Sequence, residues 1–279
     1  MDILKLEGVG AEVSGVDVGN LSDNEQSELT QLFSDEGLLL IRGQSIDEDQ
    51  HISFARRFGD ININRFFTPH PEHPEIALVT KEADQTVNIG GGWHTDHSYD
   101  VRPALGSILV ARELPKAGGD TWFCSMYKAF ESLSDGLKET LRGLNAVHSA
   151  RHVFGTAEGY SREDATNGRI GNSAAADELT DPVHPVVIRH PLSGREALYV
   201  NGAFTRHFEG WTLEESEPLL GFLYAHAIAE ENITRFHWEP GSIAFWDNRA
   251  TWHFAQNDYH GERREMHRIT IEGCALAAA

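Results

Sequence analysis

The segment "IAFWDNRATWHFAQNDYHGERREMHRITIEG", residues 243–273, decides the fold that this sequence predicts. It opens with a short apolar run, passes a Trp-Asp-Asn turn signal, and ends in a stretch that is typical of a strand. Because side chains alternate along a strand, a strand over residues 264–270 has two distinct faces. One face carries Arg264, Met266, Arg268 and Thr270, and the other carries Glu265, His267, Ile269 and Ile271.

Two arginines on one inward face predict a site for anions. A buried guanidinium is costly unless it meets a negative charge. Arginine is also suited to bind a carboxylate through two parallel hydrogen bonds. The histidine that precedes them in the same segment, His253, is a candidate metal ligand, whereas His267 has the wrong parity. The charges around Arg263 and Glu265 are typical of a solvated face.

A second segment, "GGGWHTDHSYD" (residues 90–100), supplies more candidate ligands. In a strand, His94 and Asp96 would point to the same side, with His97 turned away. Two histidines and one carboxylate on one face of the metal are the ligands of non-haem iron(II) oxygenases, which keep open positions for a cosubstrate and dioxygen. His-x-Asp alone is also compatible with a solvated strand end, so the prediction of a site at His94, Asp96 and His253 depends on both segments.

Short strands and a few capped helices are predicted elsewhere in the chain. Strands are indicated in "LEGVGAEVSGVDV" (6–18), "GLLLIR" (37–42), "EIALVTKE" (75–82) and "ALGSILVAR" (104–112). Ser22 with Glu25, and Thr212 with Glu215, form capping boxes that open helices. We therefore expect one domain over residues 1–279, mainly β with flanking helices around a jelly-roll-like core. The polar stretch 155–182 predicts a structureless lid.

Composition narrows the function. The formal net charge is −20, which argues against nucleic acid and anionic membranes as partners. Two cysteines are too few for a disulfide framework or a thiolate metal site. The first residues lack a secretory signal pattern, and no apolar run is long enough to span a membrane. We expect a cytoplasmic protein.

The motifs together resemble the taurine dioxygenase family, which includes the herbicide-degrading aryloxyalkanoate dioxygenases. The matching pieces are "WHTD", "GGDTWF", "LYVN", "WDNRATWH" and "RREMHRITI", in family order and spacing. The resemblance implies a double-stranded β-helix (jelly-roll, cupin-like) core, iron(II), 2-oxoglutarate and O2. It implies hydroxylation of a small organic acid, a sulfonate or a carboxylate, with formation of succinate and CO2. It also implies a homodimer or homotetramer.

The resemblance assigns roles residue by residue. His94, Asp96 and His253 match the iron ligands. Thr121, Arg264 and Trp246 match residues that bind 2-oxoglutarate or line its pocket. The predicted substrate contacts are Arg268, Phe154, Phe204, Asn88 and Phe67. Several of these have a structural alternative: the aromatic residues could be plain core, Thr121 a sheet threonine, and Arg268 the partner of a structural carboxylate.

The substrate is the least determined feature. The taurine enzymes grip taurine with a histidine and a tyrosine, where an ungapped match places Asn64 and Phe67; a shift of a few residues would bring in His70. Phe66 and Phe67 favour a larger and more apolar acid, so an ether-cleaving aryloxyalkanoate dioxygenase is an alternative to a taurine-type enzyme. A metal-dependent hydrolase and a silent binding protein on the same fold are the non-oxygenase alternatives.

Overall fold

The structure of the protein, a computed structural model, describes residues 1–156 and 174–279, and strands dominate it as the sequence predicts. The strands are β1 (Asp2–Lys5), β2 (Ala11–Ser14), β3 (Leu38–Ile41), β4 (Ile61–Asn62), β5 (Ala77–Lys81), β6 (Gly106–Glu113), β7 (Thr121–Ser125), β8 (Asn145–His148), β9 (Val183–Pro185), β10 (Val187–Arg189), β11 (Glu196–Leu198), β12 (Thr205–Phe208), β13 (Ile233–Phe236), β14 (Ile243–Asp247), β15 (Thr251–Ala255), β16 (Arg264–Ile271) and β17 (Ala277–Ala278). The helices are α1 (Asp23–Glu36), α2 (Glu48–Arg56), α3 (Met126–Glu131), α4 (Asp135–Arg142), α5 (Arg151–Phe154), α6 (Ala174–Glu178) and α7 (Leu213–Ala227). Short 3-10 turns cover Val18–Asn20 and Glu230–Asn232.

Among the described residues, the main sheet has eight strands and is built around the segment 243–273. Its order is β1-β2-β3-β14-β6-β16-β4, and β5 also pairs with β16. β14 and β16 flank β6 on its two edges, both antiparallel to it. β2 and β3 pair in parallel. The predicted strands of this segment are therefore confirmed, and two of them lie at the centre of the sheet.

One face of the main sheet packs against two helices. Its apolar residues, among them Ile108, Phe245 and Ile269, form a core cluster with α1 and α2. Phe33 of α1 stacks on Phe245 with ring centroids 4.0 Å apart. The capping box predicted at the start of α1 is present, and so is the one that opens α7. Alternation along the strands thus directs every second side chain to the helices.

The other face of the main sheet is covered by a second sheet. Leu109, Trp246 and Met266 from this face pack against Phe123 of β7 and Phe236 of β13. β7 is the middle strand of a three-stranded sheet with the order β13-β7-β15. The space between the two sheets contains the residues that the sequence predicts as functional.

Two smaller sheets and the remaining helices complete the described structure. The sheets have the orders β12-β8-β9 and β11-β10-β17. Phe130 of α3, Leu141 of α4, Ile188 of β10 and Leu223 of α7 share one apolar cluster. Within the described ranges, no helix is both long and apolar enough to cross a bilayer.

The stretch predicted as a structureless lid, residues 155–182, is described only at its two ends. Most of it, residues 157–173, lies outside the described residues. At the C-terminal end, residues 174–178 form α6, and Ala176 is fully buried. Ala176 belongs to an apolar cluster with Phe154 and Phe204, so this end is a packed wall.

Candidate active site

His94 and His253 face each other across a bridge between distant parts of the chain. The His94 N–H donates to the His253 carbonyl at 3.2 Å, and the His253 N–H donates to the His94 carbonyl at 2.8 Å. The two imidazole centroids are 4.1 Å apart. His253 lies in β15, which pairs with β7 of the second sheet. This pair of backbone hydrogen bonds places both imidazoles at one point of the space between the sheets.

Asp96 joins the two histidines, but not through the predicted strand. His94 is a single bridge residue, and Asp96 begins a turn in which His97 has a φ of +59°. The expected convergence is nevertheless present. Asp96 Oδ1 lies 3.7 Å from His94 Nε2, and Asp96 Oδ2 lies 3.9 Å from His253 Nε2. The correction concerns the backbone: a turn, and not strand parity, aims the carboxylate.

The protonation of these groups suits a divalent metal. One ligand atom from each of His94, Asp96 and His253 lies within 4.8 Å of the others. His94 Nδ1 is 2.8 Å from the Gly92 carbonyl, which can only accept, so Nδ1 carries the proton and Nε2 keeps its lone pair. Burial holds the pKa of His253 well below its usual range. Burial alone would raise the pKa of Asp96, but the charge of Arg268 opposes it and holds the pKa well below its usual range.

Arg264 and Thr121 form a second functional end of the same space. Arg264 is 5% exposed, and its Nε and Nη2 have no hydrogen-bond partner among the described residues. Burial lowers the pKa of this guanidinium. The Thr121 hydroxyl accepts a hydrogen bond from Trp238 Nε1 at 2.9 Å, so its own proton is available to a further acceptor. A buried cation beside a hydroxyl donor is suited to bind a carboxylate.

Arg268 lies between the metal-type ligands and an aromatic wall. Its Nη1 is 3.2 Å from Asp96 Oδ2, and its guanidinium carbon lies 4.3 Å above the Phe67 ring. Arg268 Nε has no partner in the described part of the chain. Arg268 therefore does pair with a carboxylate of the protein, as the structural alternative for this residue requires, and that carboxylate is Asp96. The unpartnered Nε leaves a donor for another anion.

A cavity of about 1100 Å³ connects these groups. Its lining includes most of the predicted site residues, namely Phe67, His94, Asp96, Thr121, Phe154, Phe204, Trp246, His253, Arg264 and Arg268. The Trp246 ring lies 4.6 Å from the His253 ring, centroid to centroid. Gly90, Gly91 and Gly92 also line the cavity.

Three residues considered for the substrate pocket lie elsewhere. Asn88 is 5% exposed and does not line the cavity; its Nδ2 donates to the Ala255 and Gln256 carbonyls at 2.9 and 3.3 Å, so it has a backbone-bracing position. The Asn64 Oδ1 accepts from two backbone N–H groups of the following turn. His70 lies on the opposite side of β16, next to His267. None of these three side chains is placed to contact a ligand in the cavity.

A second group of possible metal ligands, Glu48, His70 and His267, fits a metal poorly. Their ligand atoms lie within 4.8 Å of one another. Arg112 already occupies the group, with Nε 3.2 Å from His267 Nδ1 and Nη2 3.3 Å from Glu48 Oε1. His70 Nδ1 accepts from two backbone N–H groups, so its Nε2 carries the proton that a metal ligand must lack. We interpret this group as a hydrogen-bonded network beside α2.

Sequence reasoning missed three buried polar residues that serve the site. Trp238 donates a hydrogen bond to Thr121. Ser107 is hydrogen-bonded to the Asp96 carboxylate, and Asn248 is hydrogen-bonded to Ser107. Asn248 belongs to the Trp-Asp-Asn signal, which predicts only a turn. Ser107 and Trp238 carry no local signal, because their roles depend on which strands become neighbours.

Comparisons with known proteins point to one family. Residues 2–270 match the family described as "Taurine catabolism dioxygenase TauD, TfdA family". The alpha-ketoglutarate-dependent sulfonate dioxygenase of Saccharomyces cerevisiae is 32% identical over 276 residues, which cover 94% of this chain and 64% of that protein. The alpha-ketoglutarate-dependent 2,4-dichlorophenoxyacetate dioxygenase of a Burkholderia species is 34% identical over 283 residues, covering 93% of this chain and 90% of that protein. The crystal structure of a taurine dioxygenase from Burkholderia xenovorans has a TM-score of 0.82 and 30% identity, covering 99% of this chain and 91% of the other.

Proposed function

The chain belongs to the taurine catabolism dioxygenase TauD, TfdA family, and from this premise we propose that His94, Asp96 and His253 bind iron(II) and that Arg264 and Thr121 bind 2-oxoglutarate. The protein is an alpha-ketoglutarate-dependent dioxygenase, as its relatives are. The observation that carries the residue assignment is the buried Arg264 guanidinium. Its Nε and Nη2 have no partner among the described residues, and Arg264 lines the same cavity as the three metal-type ligands. A dicarboxylate could bind the metal with one end and pair with the Arg264 guanidinium at the other.

The residues divide the work of the reaction. When bound, iron(II) and 2-oxoglutarate supply the oxidising chemistry, in which O2 is consumed, succinate and CO2 form, and a substrate C–H bond is hydroxylated. His94 and His253 offer unprotonated nitrogens, and Asp96 offers a negative charge. Arg264 and the Thr121 hydroxyl hold the far carboxylate of the cosubstrate. The aromatic wall excludes water from the reacting atoms.

Charge balance favours a substrate with one negative charge. Among the described residues that line the cavity, the one carboxylate, Asp96, faces the two guanidiniums of Arg264 and Arg268, a net charge of +1. The two charges of iron(II) and of 2-oxoglutarate cancel, so the excess positive charge remains. Because a buried charge is costly without a partner, a monoanion next to Arg268 completes the site.

The cavity walls favour an apolar substrate body. Phe67, Tyr99, Phe154 and Phe204 form one aromatic cluster beside the metal-type ligands. Apart from Asp96, no carboxylate among the described lining residues is available to an ammonium group such as that of taurine. We therefore propose a sulfonate or carboxylate with an apolar or aromatic body, of the aryloxyalkanoate type in preference to taurine. Hydroxylation of a carbon that bears an ether oxygen would then cleave the ether.

The proposal extends to the architecture and setting of the protein. The two facing sheets and the resemblance to a solved taurine dioxygenase support a jelly-roll core within a single domain over residues 1–279. The low cysteine content supports a cytoplasmic location. By analogy with the family, we propose a homodimer or homotetramer.

An anaerobic titration and a matched substrate panel test this function. Iron(II) and 2-oxoglutarate added together should produce a charge-transfer absorption that neither produces alone. Succinate release in air is then compared for propanesulfonate against taurine, which differ in a methyl and an ammonium group, and for phenoxyacetate against phenoxyacetamide. We expect release with propanesulfonate and phenoxyacetate. A preference for taurine or for the amide would contradict the charge argument, and absence of the absorption would contradict the ligand assignment.

A further inference from the structure

A chain of hydrogen bonds between buried side chains ends at the Asp96 carboxylate. Trp246 Nε1 lies 2.8 Å from Asn248 Oδ1, Asn248 Nδ2 lies 3.4 Å from Ser107 Oγ, and Ser107 Oγ lies 3.2 Å from Asp96 Oδ2. Ser107 is 0% exposed and Asn248 is 1% exposed, so water does not compete for these groups. The chain connects a tryptophan of the cavity wall to a proposed metal ligand.

The chemistry of the groups gives this chain one direction. An indole N–H can only donate, so Trp246 directs the Asn248 amide oxygen toward itself and the amide nitrogen toward Ser107. The amide nitrogen can only donate, so Ser107 Oγ accepts from it. The single hydroxyl proton of Ser107 is then available to Asp96, whose carboxylate can only accept. The donors and acceptors therefore run in one direction, from the Trp246 indole to Asp96 Oδ2.

The two oxygens of Asp96 are held differently. Oδ2 receives the Ser107 hydroxyl and Arg268 Nη1, both at 3.2 Å. From the described part of the chain, Oδ1 receives only a longer bond of 3.4 Å, from Arg268 Nη1. Oδ1 is also the oxygen near His94 Nε2. Oδ1 consequently keeps more of its lone-pair capacity for a metal ion.

Asn248 also attaches the turn that carries Asp96 to the main sheet. The hydroxyl of Thr95, the residue before Asp96, donates to the Asn248 carbonyl. The Asn248 N–H donates to the Leu105 carbonyl at 3.0 Å, just before β6. Through its backbone and side chain, Asn248 therefore fixes both the turn and the Ser107 hydroxyl.

From these contacts we infer that Ser107 and Asn248 are positioning residues, which hold Asp96 so that it binds the metal through Oδ1 alone. This inference rests on the proposed function, because it takes His94, Asp96 and His253 as the metal ligands. Residues that orient a ligand in this way typically change metal affinity about 10- to 100-fold when they are removed. Asn248 acts on Asp96 through Ser107, so its side-chain contribution depends on the serine.

The test measures Mn(II) affinity directly, by electron paramagnetic resonance titration of the metal-free protein. We expect Ser107→Ala to raise the dissociation constant about tenfold, and Asn248→Ala to raise it by a smaller factor. Ser107→Thr keeps the hydroxyl and should retain most of the affinity. In the Ser107→Ala background, Asn248→Ala should cause no further loss, since the chain is already interrupted.

Ser242→Ala is the matched control, because Ser242 is also a fully buried serine of the main-sheet region but bonds to Arg42 and Glu239. It should leave Mn(II) affinity unchanged. Independent, additive losses from Ser107→Ala and Asn248→Ala, or wild-type affinity in Ser107→Ala, would overturn the inference. Should Ser107→Ala fail to fold in a metal-free thermal melt, Asn248→Ala decides: unchanged affinity there also overturns it. Wild-type protein that does not bind Mn(II) would instead contradict the proposed function.

Discussion

Arg264 shows how one residue can be arranged for a ligand at the expense of the free protein. Its guanidinium is buried, and Nε and Nη2 find no partner within residues 1–156 and 174–279. Burial of an uncompensated charge is destabilising, so a side chain in this state is better explained by a ligand than by structure. Arg268 differs, because its Nη1 lies 3.2 Å from Asp96 Oδ2 and so already contacts a carboxylate beside the metal-type ligands. The two arginines of one strand face therefore have separate roles.

This division predicts different effects of two matched substitutions. Arg264→Ala should raise the dissociation constant for 2-oxoglutarate by about tenfold or more, because a charge-assisted hydrogen bond contributes roughly 1.5–3 kcal/mol. Arg268→Ala should change that constant far less. Isothermal titration of the Mn(II)-loaded proteins with 2-oxoglutarate measures both. Equal losses in the two variants would show that the roles are not divided in this way.

The strands that position these residues pack closely, and β6 leaves no room for a side chain at Gly106. Gly106 pairs with Asp247 of β14 and with Ile271 of β16. A Cβ at Gly106 would lie 2.5 Å from the Trp246 carbonyl oxygen and 3.0 Å from the Phe245 ring. These contacts are far shorter than van der Waals distance, so any larger residue must displace β14, which precedes Asn248 and carries Trp246.

Gly106→Ala should therefore destabilise the protein, by roughly 1–3 kcal/mol as for other overpacked cores. Gly221→Ala is the control, since Gly221 lies within α7 and an added Cβ there would have no other described residue within 4 Å beyond the adjoining helix backbone. Alanine is a better helix former than glycine, so the free energy of unfolding of that variant should rise by about 0.5–1 kcal/mol. Urea unfolding of the metal-free proteins compares them. Similar stability changes in both variants would contradict the steric explanation.

Individual strands, helices and turns also show what the sequence could and could not predict. The faces of β16 and the capping boxes at Ser22 and Thr212 follow from local patterns, and the structure confirms them. The turn at Asp96 and the backbone contacts of Asn88 depend on segments far away in the chain, and the strand predicted at Asp96 was wrong. Local periodicity contains no information about such long-range partners, so they emerge only once the strands are paired.

The cavity and the protein as a whole have charges of opposite sign. The chain carries a formal net charge of −20, whereas the cavity lining has two guanidiniums against one carboxylate in its described part. The overall field does not attract anions toward this cavity. We therefore expect the binding of an anionic substrate to depend on the local pair of arginines. Its association rate should rise as added salt screens the negative surface of the protein.

Buried histidines give the whole molecule a predictable response to acid. His51 of α2 is fully buried, and burial together with the charges of Arg112 and His267 lowers its pKa to about 3. Burial also holds the pKa of His148 well below its usual range. Between these folded values and the ordinary value near 6.5, the unfolded chain binds more protons than the native one. Stability is therefore complete above about pH 6.5 and falls as the pH is lowered.

His51→Leu should remove part of this acid sensitivity, because it eliminates a neutral imidazole that the unfolded chain protonates. Each such histidine contributes up to about 1.4 kcal/mol per pH unit, so wild type should lose about 2 kcal/mol more than His51→Leu between pH 7 and pH 5. The free energy of unfolding in urea, measured without metal at both pH values, tests this. His260→Gln, at an exposed position, should keep the wild-type slope. If His51→Leu also keeps that slope, His51 is not held neutral in the native protein, and the acid response must arise from other groups.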